Sequence, residues 1–300
     1  MRGMTKADDT TDENDRARGY ERCIVTFVDI LGYRELLKTR HSSDILEALR
    51  ALRKFTRGDG DDEEPPRRSD EFRLYSQAFS ESVSDAVVRV RTIDTQSLDG
   101  PFLYELLDLM HAQIECVNRG ILIRGGMTIG RAHVGLDGRG PIFGEAMVRA
   151  YEIEQGEAVH PRLMIDDDAI VAFLTDSSLW QHGQFDGNDA EMARRYIGVS
   201  EDGSYFLDYL NAADAGEFDD GEIGRFAFLA RHRDVVEEGL ISATGKARRK
   251  LIWLANYHNR FICGLRSHYD EYDTNGEFEA AMGISPRGMF DGLLGHVDKG

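Results

Sequence analysis

"IVTFVDILGY", residues 24–33, is an apolar, strand-like run that stops on a carboxylate, Asp29, and meets a glycine shortly after it. An Asp in that place has an ordinary reading, because after a strand it begins a turn or caps the next helix. It also has a chemical reading, as a carboxylate held where a buried strand ends. The segments on either side bear on which applies.

Working outward, Glu21 to Asp29 predicts a strand. "YRELLKTRHSSDILEALRALRKF" (33–55) then repeats Leu, Ile and Phe at helical spacing, with "HSSD" as a break or cap. Residues 56–70, rich in Gly, Pro and charge, predict an exposed loop. "FRLYSQAFSESVSDAVVRV" (72–90) fits two strands around a tight turn. Leu103, Leu106, Leu107, Met110, Ile114 and Val117 mark one face of a helix, and "GILIRGGMTIG" (120–130) reads as a glycine-studded strand. The order β-α-β-β-α-β is the split βαβ plan.

Beyond it, "GEAMVRAYEIEQGEA" (144–158) predicts a helix, "PRLMI" (161–165) a short strand and "DDDAIVAFLT" (166–175) a small helix. From about Ser177 to Gly224 the chain is polar and acidic and reads as a peripheral elaboration, with a hairpin in "RYIGVSEDGSYFLDYL" (195–210). Residues 234–269 predict a long helical region that carries the densest basic cluster, Lys246, Arg248, Arg249 and Lys250. The expected organisation is α/β (α+β): a mobile acidic tail over 1–19, a ferredoxin-like core over 20–174, and an elaboration with C-terminal helices over 175–300.

Composition bounds the function. At 41% hydrophobic over 300 residues the chain has material for a sizeable core, and no window approaches the roughly eighteen consecutive apolar residues of a membrane span. The polar, acidic N-terminus is unlike a signal peptide, so a cytoplasmic protein is expected. Cys23, Cys116 and Cys263 stand far apart in apolar contexts and read as core fillers rather than as disulfides or a metal cage. A formal charge of -18 opposes nonspecific binding to nucleic acid or anionic lipid. A polyanionic ligand would need a local basic pocket or a metal.

In a β-α-β-β-α-β layout the end of the first strand and the turn between the second and third lie side by side. Carboxylates there can share metal ions. Asp29 supplies the first, and either Asp85 in "VSDAVV" or Glu81 in "FSES" the second. Oxygen ligands of this kind suit Mg²⁺ or Mn²⁺ bound together with substrate phosphates.

On these residues the sequence resembles the class III nucleotidyl cyclases, and more closely the pyrimidine cyclases of the Pycsar antiphage systems. The resemblance covers about residues 22–166 and "KLIWLANYHN" (250–259). It rests on "FVDILGY", "SDAVV", "IRGGMTIG" and "GEAMVRAYEIE" in that order. It implies a class III cyclase core in which Asp29 and Asp85, with Ile30, hold two divalent ions, Mg²⁺ or Mn²⁺, that bind a nucleoside triphosphate. The ribose 3′-oxygen attacks the α-phosphorus in line, giving a 3′,5′-cyclic nucleotide and pyrophosphate. It further implies a homodimer with "GEAMVRAYEIE" at its interface, UTP or CTP as substrate, and a separate effector protein linked only through the cyclic product.

The sequence also departs from the class III pattern. Val148 and Glu152 stand where the family carries an Asn that orients the ribose and an Arg that stabilises the transition state. That motivates two alternatives, a catalytically silent nucleotide-sensing module and a cyclase acting on ATP or GTP. Arg124 either faces the phosphates or pairs with a carboxylate. Tyr151 either lines a base pocket or packs. Lys250 either supplies positive field for a triphosphate or lies on a solvated helix face. Ser82 and Ser84 read as turn residues, Gly125 and Gly126 as points of close backbone approach, and His258 as a cap or polar core group rather than a metal ligand.

Overall fold

The computed structural model describes residues 19–56, 75–93, 95–134 and 141–272. Residues 1–18 of the expected tail, residues 57–70 of the expected loop and residues 273–300 lie outside them.

Strand β1 (Glu21–Ile30) runs one residue past Asp29, and the turn that follows is made by Gly32 at φ 80, a left-handed conformation that suits glycine. Gly32 is also the N-cap of α1 (Tyr33–Thr39), which has no side-chain cap. Asp29 therefore neither starts the turn nor caps the helix. Helix α2 (Ser42–Phe55) begins after His41, within the "HSSD" break.

The remaining elements are β2 (Ala78–Val83), β3 (Ala86–Thr92), α3 (Pro101–Asn118), β4 (Ile123–Val134), β5 (Ile142–Phe143) and α4 (Glu145–Gly156). They are followed by β6 (Leu163–Ile165), α5 (Asp167–Thr175), α6 (Gly187–Tyr196), β7 (Ile197–Val199), β8 (Tyr205–Leu207), α7 (Tyr209–Ala212), α8 (Glu222–Ser242) and α9 (Gly245–Tyr272). Their sheet has the order β2-β3-β1-β4-β6-β8-β7, with β5 on β4 beside that path. The antiparallel β2-β3-β1-β4 block is the ferredoxin-like arrangement, β6 joins β4 in parallel, and the long helices α8 and α9 follow the last strand.

Three features differ from the sequence reading. The 195–210 hairpin is not peripheral: β8 pairs with β6 and extends the central sheet. The long C-terminal helical region starts at Glu222 and is broken after Ser242, where Ala243 is extended. Cys263 is exposed, whereas Cys23 and Cys116 are buried. Among the described residues no helix is long and apolar enough to cross a membrane.

The central strand β1 is buried on both faces, as expected of a strand covered from two sides. Ile24, Val28 and Ile30 join the larger core with α3 and the helices beyond, while Cys23, Val25 and Phe27 join a smaller core under α4. On the α3 side the sheet also buries charge. Arg89 and Arg91 each donate to Glu105 at 2.9 Å, and both reach Asp108. On the other face α4 comes very close to the sheet. A Cβ on Gly126 would lie 2.5 Å from Ile153 Cβ and 2.6 Å from the Ala150 carbonyl oxygen. Gly126 is thus required by contact rather than by φ, and it sets the height of α4 above β4.

Candidate active site

Asp29 is the last residue of β1 on the α4 face, in phase with Cys23, Val25 and Phe27. Its register partners are Ala86 on β3 and Arg124 on β4. Asp85 precedes Ala86 in the β2–β3 turn, where Ser84 takes φ 59 and reverses the chain. This brings the Asp85 carboxyl within hydrogen-bonding reach of that of Asp29. Burial above all, then the negative charges of Asp85 and Glu154, push the Asp29 carboxyl up to about 7, while Arg124 pulls it down. Two acids held this close favour a shared proton or a cation between them.

Arg124 supplies fixed positive charge. One terminal nitrogen lies 2.5 Å from Glu154 Oε1 and 3.5 Å from Asp29 Oδ2, and the other donates to the Ala158 carbonyl at 3.4 Å. Glu154 is fully buried on α4, in helical phase with the buried Ala146, Ala150 and Ile153. Its second oxygen accepts a hydrogen bond from the Gln155 side chain at 2.6 Å. Sequence reasoning missed Glu154, although the signal was there: it falls on the apolar stripe of its helix.

Lys250 comes from α9, far away in sequence. Burial first, then the charge of Arg124, lower its pKa, while Glu154 and Asp29 raise it, so its ammonium stands in the field of the same cluster. Among the described residues no carboxylate lies within ion-pairing distance of it. The rest of "KLIWLANYHN" anchors that lysine. Trp253 stacks on His160 at 4.9 Å, with the Arg162 guanidinium 5.3 Å above its ring. Leu254 is buried, and the Tyr257 hydroxyl donates to Asp208 at 2.6 Å and accepts from the Leu210 N–H at 3.1 Å. His258 is buried and stacks on His232 at 4.9 Å.

Glu81 stands apart from this cluster. It is opposite Val88 in the β2–β3 ladder, and its Oε2 accepts the Ile142 N–H at 2.8 Å. Ile30 has its side chain in the core, so only its backbone oxygen has the chemistry to serve a cation. Tyr151 lies on the outer face of α4, 46% exposed, its ring edge-on to Phe27 at 5.3 Å. Val148 and Glu152 are exposed on the same helix, away from Glu154.

Among the described residues, no group of three or more His, Cys, Asp or Glu side chains gathers as a ready-made metal cage. The donor set does fit a hard divalent cation that arrives with phosphates, because such ions take one or two carboxylates and complete their shell with substrate oxygens and water. The cluster therefore pairs an anionic seat, Asp29 and Asp85, with two cations, Arg124 and Lys250, that can face a polyphosphate.

No family model matches the chain, and no curated protein matches it. Solved structures of similar course include the monomeric guanylyl cyclase domain of the RhoGC fusion protein from the aquatic fungus Blastocladiella emersonii, at 13% identity over 63% of this chain and 95% of that one, TM-score 0.36. The guanylyl cyclase Cya2 is similar at 11% identity over 63% and 91% of the two chains, TM-score 0.36. A bacterial light-regulated adenylyl cyclase is similar at 11% identity over 51% and 45%, TM-score 0.33. Likeness at this level concerns the course of the backbone, and the chemistry has to be argued from the chain's own side chains.

Proposed function

We propose that this protein is a nucleotidyl cyclase that converts a pyrimidine nucleoside triphosphate, UTP in preference to CTP, into a 3′,5′-cyclic nucleotide and pyrophosphate, as a cytoplasmic antiphage messenger synthase. The observation that carries the reading is the Asp29–Asp85 pair with Arg124 and Lys250 around it. Asp29, Asp85 and the Ile30 carbonyl would hold divalent ions that, when bound, acidify the ribose 3′-hydroxyl and neutralise phosphate charge. Arg124 and Lys250 orient the triphosphate and compensate the charge that develops on the departing pyrophosphate. The 3′-hydroxyl gives its proton to water as its oxygen bonds to the α-phosphorus, and the bond from that phosphorus to the bridging oxygen breaks, its electron pair leaving with pyrophosphate.

Support for a pyrimidine comes from the resemblance of "GEAMVRAYEIE" and "KLIWLANYHN" and from the place of Lys250. The second of these segments is the one that sets a cation in the field of Asp29 and Glu154. A homodimer is supported by an apolar strip around α4, where Phe143, Val148 and Tyr151 are 43%, 57% and 46% exposed. The net charge of -18 supports a protein that leaves nucleic acid and membranes alone and speaks to its effector through the product.

The test is incubation of the purified protein with Mn²⁺ and each of the four nucleoside triphosphates, reading cyclic products by mass. Cyclic UMP as the main product is expected. Nucleotide binding with no cyclic product from any of the four would favour a silent nucleotide-sensing module, the second reading, which the exposed Val148 and Glu152 motivate.

A further inference from the structure

We infer that Glu154 is a positioning residue for the triphosphate: it holds Arg124 at the Asp29–Asp85 pair so that the guanidinium meets the phosphates there. The inference rests on the cyclase reading and adds to it a buried residue one shell behind the phosphates.

Glu154 is a fully buried carboxylate in a helix face otherwise made of alanines and an isoleucine. A buried carboxylate is retained only when it is paired: Oε2 accepts from Gln155, while Oε1, which has no hydrogen-bond partner, lies 2.5 Å from an Arg124 terminal nitrogen as an ion pair. Arg124 is shared out in turn. It touches Glu154, Asp29 and the Ala158 carbonyl, a three-point clamp on a group that is 18% exposed. The planar fork of a guanidinium suits such a clamp and leaves donors for a phosphate, which an ammonium would not. Glu154 sits where it does because Gly126 lets α4 settle onto β4. The close approach thereby serves the site as well as the core.

Simple electrostatics and positioning make opposite forecasts. If Glu154 acted only through its charge, removing that charge beside the phosphates would tighten polyanion binding. If it positions Arg124, the same change weakens binding. The experiment is calorimetric titration of the full chain with Mn²⁺ and inorganic tripolyphosphate, a probe that has no base and needs no turnover. Glu154→Gln is expected to weaken binding about tenfold, because the guanidinium loses the buried charge that fixes its place. In an Arg124→Gln background the same substitution is expected to weaken it no further, as a double-mutant cycle requires of coupled groups. A merely structural role for Glu154 would give the same loss in both backgrounds and would overturn the proposal.

Glu154→Asp covers the case in which Glu154→Gln does not fold. It keeps the charge but draws the carboxylate back from the guanidinium, and about a tenfold loss is again expected. Unchanged or tighter binding in either variant overturns the positioning role while leaving the cyclase reading intact. A wild-type protein that binds no tripolyphosphate with Mn²⁺ overturns the cyclase reading, and the positioning role falls with it.

Discussion

Asp29 and Arg124 face one another across the β1–β4 ladder, in register, with 3.5 Å between carboxylate and guanidinium. The arginine does not offset what burial, Asp85 and Glu154 impose on Asp29, whose pKa stays raised from 3.8 to about 7. A carboxyl with a raised pKa favours the fold when it is protonated. Its contribution is fully present below 3.8 and is lost as pH rises through about 7. At pH 8, without metal, charged Asp29 therefore weakens the fold. Asp29→Asn is expected to raise stability there by about 1–3 kcal/mol while removing activity, with the gain shrinking toward pH 5. Urea unfolding in chelator at the two pH values checks it, and a variant less stable than wild type at pH 8 would refute it.

The two candidate second carboxylates are expected to separate cleanly. Asp85→Asn should reduce turnover at least a hundredfold, on the order expected for a carboxylate that holds the catalytic divalent ions. Glu81→Gln should leave turnover within about threefold, because an amide oxygen can still accept the Ile142 N–H. Side-by-side rates with Mn²⁺ decide. Equal damage from both variants would mean that Glu81 also serves the cations.

Gly126→Ala is expected to cost about 1–3 kcal/mol by overpacking, since its Cβ would meet Ile153 at 2.5 Å and the Ala150 carbonyl at 2.6 Å. Activity should fall as well, because α4 carries Glu154. Gly156→Ala is the control: nothing lies within 4 Å of a Cβ there, and it should be tolerated. Melting curves of the two variants, compared with wild type, suffice, and equal tolerance would contradict the close approach.

The stacked pair His232 and His258 sets an acid limit. Burial, then His258, hold the His232 pKa well below its ordinary 6.5, and its Nε2 is paired with the Tyr209 hydroxyl. A group with a depressed pKa gives stability that is present above 6.5 and lost as pH falls toward the folded value. The melting temperature of wild type relative to His232→Gln should therefore fall between pH 7.5 and pH 5.5. The difference between the two curves cancels groups common to both. A flat difference would mean that His232 carries no such linkage.

The sequence made some of this legible and hid the rest for physical reasons. Asp29 stood out because a polar residue closes an apolar run, and the split βαβ order sufficed to bring the β2–β3 turn beside it. It could not choose between Glu81 and Asp85, since both lie near that turn. The register decides where each goes, with Glu81 opposite Val88 and Asp85 at the reversal where Ser84 takes a positive φ. Glu154 falls on the apolar stripe of its helix, but only the descent of α4 onto Gly126 shows that this stripe buries a carboxylate beside Arg124. The 195–210 hairpin looked peripheral because its strands are three residues each and polar in context, and only pairing with β6 makes them part of the sheet. Cys263 sits in an apolar stretch yet faces outward, since composition does not fix the phase of a helix.

One competition decides whether Asp29 seats the cations of a pyrimidine cyclase: wild-type protein and Asp29→Asn, each with Mn²⁺ and four equimolar nucleoside triphosphates, with cyclic products and pyrophosphate quantified together. Wild type is expected to give cyclic UMP as the main product, cyclic CMP as the minor one and one pyrophosphate per cyclic nucleotide, and Asp29→Asn neither product. Mainly cyclic AMP or cyclic GMP would contradict the pyrimidine assignment, and equal turnover by the two proteins would contradict the role of Asp29 as a ligand of the catalytic ions.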